Sequence, residues 1–118
     1  MRYMILIYGN QVTRGIWREL PDERLVEGWR AHAAVTGEVV ASGELVVSAA
    51  LADASLARRV PADGGAAAAP EADERLAGIL LVDCESFERA VEIGSQLPEA
   101  PYGVVEVRPV LHDGGLEM

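Results

Sequence analysis

Two hydrophobic periods alternate along this chain, and the places where they switch predict the order strand, helix, strand, strand, helix, strand. Arg2 to Tyr8 is apolar on both alternating faces and is closed by Gly9-Asn10, the pattern of a strand covered on two sides. A loop carrying Trp17 is expected next. Pro21-Asp22 then opens a helix running to about Ala41, with Asp22 and Glu23 where the helix dipole favours negative charge. Its apolar stripe is read as Leu25, Trp29, His32, Thr36 and Val39, and Ser42-Gly43 ends it. Glu44 to Ala50 is the second strand. Gly78 to Asp83 is a continuous apolar run and a further buried strand. Ser86 or Asp83 can cap a second helix to about Leu97, with Phe87, Ala90, Val91 and Gly94 expected on its core side. Val104 to Val110 closes the sheet.

The stretch from about 51 to 75 carries the weakest pattern. Ala57 to Val60 reads as a short strand and Asp63-Gly64-Gly65 as a turn, while the alanines 66–69, flanked by glycine and proline, favour a loop. The tail from about 112 to 118 is expected to fray.

This order is the split βαβ arrangement: α+β, ferredoxin-like βαββαβ, an antiparallel sheet with two helices on one face. Helices can cover only one side of that sheet, yet its strands are apolar on both. A second copy of the chain is the simplest cover, so a homodimer is expected.

Composition narrows the partners. With 118 residues the chain suits one domain, and half its residues are apolar, enough for a core. Its formal charge of −9 argues against nucleic acid and anionic membrane surfaces, both of which need clustered positive charge. Cys84 is the only cysteine and has no disulfide mate within the chain, and no stretch reaches the roughly 20 apolar residues of a membrane span. A cytoplasmic setting is the expectation. No zinc-ligand spacing is present, nor any glycine-rich phosphate loop, so no metal and no cofactor is expected.

Several segments resemble YCII-related proteins, in particular the subgroup named for a DGPF motif. They are Arg2 to Gly9, Ala31 to Ala34, Ala41 to Leu45, Glu71 to Gly78, Leu80 to Asp83 and Val105 to Pro109, in the right order and at nearly the right spacing. The resemblance implies a dimeric α+β barrel. It fails at the motif itself, whose place falls on the alanines 66–69. Asp63-Gly64 is either a displaced remnant or the turn of the preceding hairpin, and the hairpin is favoured, with a shortened second arm.

The resemblance also implies an acid–base role for a helical histidine working with an acidic residue. His32 fits that place, and Asp63 is the acidic partner proposed for it. Tyr8, Trp29 and Trp17 are candidate substrate-binding residues: a phenol at the end of the first strand, an aromatic wall, and either a lid or a packing anchor. Cys84 has no basic neighbour in sequence and is expected to be buried and inert. The functional expectation is a small cofactor-independent enzyme moving a proton on a small organic or polyketide-like metabolite, of isomerase, lyase or cyclase type. The alternatives are a non-catalytic small-molecule-binding or accessory homodimer that has lost the family motif, and a purely structural partner.

Overall fold

A computed structural model describes residues 1–60, 67, 68 and 74–112. Its main sheet comprises β1 (Arg2–Asn10), β2 (Leu45–Ala50), β5 (Glu74–Asp83) and β6 (Val105–Pro109) in the order β2-β5-β1-β6. Every neighbouring pair is antiparallel. Long helix α2 (Asp22–Ala41) crosses between β1 and β2, and α3 (Phe87–Ser95) crosses between β5 and β6. This is the expected ferredoxin-like α+β architecture.

The core lies between sheet and helices. Tyr3, Ile5 and Ile7 of β1 and Leu80 and Val82 of β5 point into it, meeting Val35 and Val39 of α2 and Ala90 and Ile93 of α3. Because strand side chains alternate, Met4, Leu6, Ile79 and Leu81 fall on the opposite face, where no described helix lies. Val47, paired with Leu81, joins that row and is substantially exposed.

Three expectations about individual elements are corrected. The segment expected as a loop with Trp17 is helix α1 (Gln11–Glu19). Its cause is a reciprocal cap: Asn10 Oδ1 accepts from Thr13 N at 2.8 Å and Thr13 Oγ1 accepts from Asn10 N at 2.9 Å. That cap starts a helix directly off the strand, despite Gly15 and the β-branched residues around it. On α2 the buried line runs through Val35 and Val39, and Trp29 is 68% exposed rather than part of the core stripe. On α3, Ala90 and Gly94 are buried as expected and Ile93 joins them, whereas Phe87 and Val91 are substantially exposed. Phe87 still tilts against Tyr3, with ring centroids 5.7 Å apart.

The alanine stretch is a fourth correction. Ala67–Ala68 (β4) pairs antiparallel with Arg58–Arg59 (β3), so these alanines form the second arm of a two-residue hairpin rather than a loop. Asp63 and the proposed turn lie outside the described residues.

Candidate functional site

Where α1 meets the first half of α2, the backbone is built to let them approach closely. The edge of the Trp17 ring rests on Gly28, where a Cβ would lie 3.2 Å from Cζ3. One helical turn beyond Gly28 comes His32, and one turn before Trp17 comes Arg14. Between these helices and the ends of β1, β2 and β5 lies an apolar cavity of about 420 Å³. Its wall includes Trp17, Trp29, His32, Arg14, Tyr8 and Glu99, with alanines of β2 and Gly78 of β5 beneath them.

The structure therefore brings Tyr8, Trp17, Trp29 and His32 to one cavity. They do not all present their polar atoms to it. Tyr8 follows a register shift in β1, and its hydroxyl donates to Glu106 Oε2 at 3.1 Å. Glu106 alternates with Val105 and Val107, which pack on the core, so this hydroxyl lies toward the other face of the sheet. Burial, reinforced by the Glu106 carboxylate, raises the phenol's pKa.

His32 has an acidic partner that the sequence pattern did not single out. Its Nδ1 lies 3.3 Å from Oε1 of Glu99, with the imidazole 33% and the carboxylate 19% exposed. The hydrogen bond to Glu99 raises the imidazole pKa above its ordinary 6.5, outweighing the opposing effect of burial. Glu99 sits just before a single 3-10 turn, Ala100–Tyr102, that ends on Gly103 at φ +73°. Two flanking prolines, Pro98 and Pro101, fix the backbone on either side. A lone carboxylate locked between two prolines at a helix exit is the sequence signal that marks this position. The other oxygen, Oε2, is buried and has no hydrogen-bond partner among the described residues.

With Nδ1 directed at Glu99, Nε2 has no partner among the described residues. An imidazole oriented this way can take a proton at Nε2 while the carboxylate stabilises the resulting cation. Thr36 Oγ1 donates to the His32 carbonyl at 3.0 Å and steadies the same turn of α2.

Arg14 closes the other helix's side of the cavity. Its Nη2 reaches Oδ1 and Oδ2 of Asp53 at 3.1 and 3.4 Å, tying α1 to the segment after β2. Asp53 is itself held below the usual carboxylate range, chiefly by hydrogen bonds from Ser55.

Cys84 is buried at the end of β5, and its thiol donates to the Ser86 carbonyl at 3.4 Å. Burial raises its pKa, which disfavours the thiolate a nucleophile needs. Among the described residues no group of three or more His, Cys, Asp or Glu side chains is arranged to hold a metal ion, and no helix is long and apolar enough to cross a membrane.

Comparison with known proteins extends this picture. An uncharacterized protein of Rhizobium meliloti is 30% identical over 120 residues, covering 93% of this chain and 92% of the relative. A solved structure of 5-chloro-2-hydroxyhydroquinone dehydrochlorinase from Burkholderia phenoliruptrix, in complex with 2,5-dihydroxybenzoquinone, superposes with a TM-score of 0.56. That match covers 96% of each chain at 13% identity, and so shows a common fold. Residues 1–112 match the YCII-related domain, and the chain belongs to that family.

Proposed function

We propose that the protein is a small cofactor-independent enzyme that binds an organic molecule in the α1–α2 cavity and moves a proton with His32. The carrying observation is the His32–Glu99 pair at the wall of an apolar cavity of about 420 Å³. Glu99 accepts from Nδ1–H, which leaves the Nε2 lone pair free to remove a proton from a bound carbon acid. The imidazolium then returns the proton to another atom of the same molecule, or to a leaving group, giving isomerase, lyase or cyclase chemistry. Apolar walls favour this exchange by keeping water from competing for the proton. Trp17 and Trp29 supply aromatic wall for a flat substrate, whereas the Tyr8 hydroxyl is engaged by Glu106 and contributes mainly through its ring. Glu99 takes the role that the sequence reading gave to Asp63.

The solved structure of the same fold is a 5-chloro-2-hydroxyhydroquinone dehydrochlorinase in complex with 2,5-dihydroxybenzoquinone, which supports a small-molecule substrate here. The homodimer belongs to the same proposal. Met4, Leu6, Val47, Ile79 and Leu81 form an apolar row on the sheet face without a described helix, and a second sheet packed on it would complete a barrel. The single unpaired Cys84 suits a cytoplasmic setting.

The test is deuterium incorporation from D2O into a panel of cyclic 1,2- and 1,3-dicarbonyl compounds, followed by NMR. The wild-type protein should accelerate exchange in at least one compound that it binds, and His32→Gln should lower that rate about 100-fold or more. Equal exchange by the two proteins would remove His32 as the base. A second reading, a ligand-binding dimer without catalysis, is favoured by the alanines standing where the family motif is expected; it predicts binding without exchange in either protein.

A further inference from the structure

We infer that Arg14 is a specificity residue of the cavity, and that the ligand it selects is an organic anion with an apolar body. This rests on reading the cavity as a small-molecule site, and it adds which molecules enter. Arg14 lines the cavity from α1, one turn from Trp17. Only one guanidinium nitrogen, Nη2, is committed, to Asp53; Nε and Nη1 have no partner among the described residues. An arginine presents five N–H donors in a planar fork suited to carboxylate, so one edge remains available for a second anion.

Asp53 stabilises the fork without filling the cavity. It lines a separate hollow beside the segment after β2, and its carboxylate is 55% exposed. The stem of Arg14 runs over Gly9, where a Cβ would lie 3.8 Å from Cγ, so the end of β1 leaves room for the side chain to lie along the wall. Arg14 is thus braced from outside by Asp53 while it lines the cavity.

The charge context makes this position selective. A chain with a formal charge of −9 repels organic anions over most of its surface. Among the described residues of the cavity wall the only carboxylate is Glu99, and it is engaged by His32. Among the same described residues Arg14 is the permanent cation of that wall. Apart from His32 and Thr13 the remainder is aromatic, alanine, glycine and aliphatic surface, which suits a ring or short hydrocarbon frame.

The chain has two tryptophans, and both line this cavity, so their indole N–H signals report occupancy. Benzoate and benzamide, nearly the same shape and differing in charge, are titrated into 15N-labelled protein at low salt. Benzoate should bind about tenfold tighter or more, and the difference should shrink as salt is raised. Arg14→Gln should erase the preference, bringing benzoate down to the affinity of benzamide. Arg14→Lys should keep part of it, because charge remains without the fork.

Equal affinities in the wild type, or a preference that survives Arg14→Gln, would overturn the assignment. Failure of both probes to move either indole would overturn the small-molecule site along with it. Loss of proton exchange in the wild type with the benzoate preference intact would instead sink only the acid–base reading.

Discussion

Glu99, in the turn after α3, holds Nδ1 of His32 at 3.3 Å and so orients the imidazole of a helix on another part of the chain. A carboxylate in this position sets the tautomer and stabilises the cation. Both effects can be read in a pH profile.

If His32 acts as a base, the neutral imidazole is the working form. Activity should therefore rise with pH through an apparent pKa above the ordinary 6.5, since Glu99 raises it. Glu99→Gln removes the stabilising charge and should move that limb to lower pH, with a loss of rate of roughly tenfold or more. A limb that stays in place would show that the two groups are not coupled, and His32 chemical shifts in the same variant check the assignment directly.

Gly28→Ala tests how closely α1 must sit on α2. An added Cβ would lie 3.2 Å from Trp17 Cζ3 and 3.4 Å from Cη2. Alanine favours the helix by about 1 kcal/mol, which offsets part of the clash. The expected result is nearly unchanged thermal stability with a shifted Trp17 indole signal and ligand affinity weakened several-fold. Unchanged affinity would mean that α1 does not shape the cavity.

A different ion pair should govern acid stability. Arg89 of α3 donates to Glu44 through Nε at 3.0 Å and Nη2 at 2.8 Å, and Ser42 Oγ adds a bond at 2.7 Å. Together these hold the Glu44 carboxyl at about 2, against an ordinary 4.5. The lowered pKa means the stabilisation is complete above 4.5 and disappears as pH falls toward 2. Both groups are partly exposed, so about 1–2 kcal/mol is expected. Urea titrations of Glu44→Gln should show that loss at pH 7 and little at pH 2.5.

The bare sheet face yields the last prediction. Leu81→Lys places a charge among Met4, Val47 and their neighbours, and should turn a dimer into a folded monomer in analytical ultracentrifugation. A wild type that sediments as a monomer would remove the dimer from the proposal.

The frame of this fold is legible in the sequence because its strands and long helix carry strong periodic patterns. Ile5, Ile7, Leu80 and Val82 are all buried, and α2 runs over the expected Asp22–Ala41. Helix α1 escaped that reading because its start depends on the Asn10–Thr13 cap, and a polar residue ending a strand looks like any loop entry. Trp29 lies off the buried line because a four-residue step drifts away from it in a helix with 3.6 residues per turn. His32 and the two tryptophans could be selected by residue type and spacing. Glu99 carries only the mark of its flanking prolines and Arg14 none, since their value comes from tertiary approach between segments distant in sequence. Asp63 lies outside the described residues.

Helix α1 stands outside the βαββαβ frame, yet it supplies Arg14 and Trp17 to the cavity, while the frame's core is filled from the strands and from α2 and α3. Its one buried residue is Thr13, the capping threonine. In the proposed site, ligand preference and foldability therefore rest on largely separate sets of positions. Within such an arrangement the α1 segment can be exchanged between relatives, or diversified in a library, to redirect the cavity to new molecules while the sheet continues to specify the same architecture.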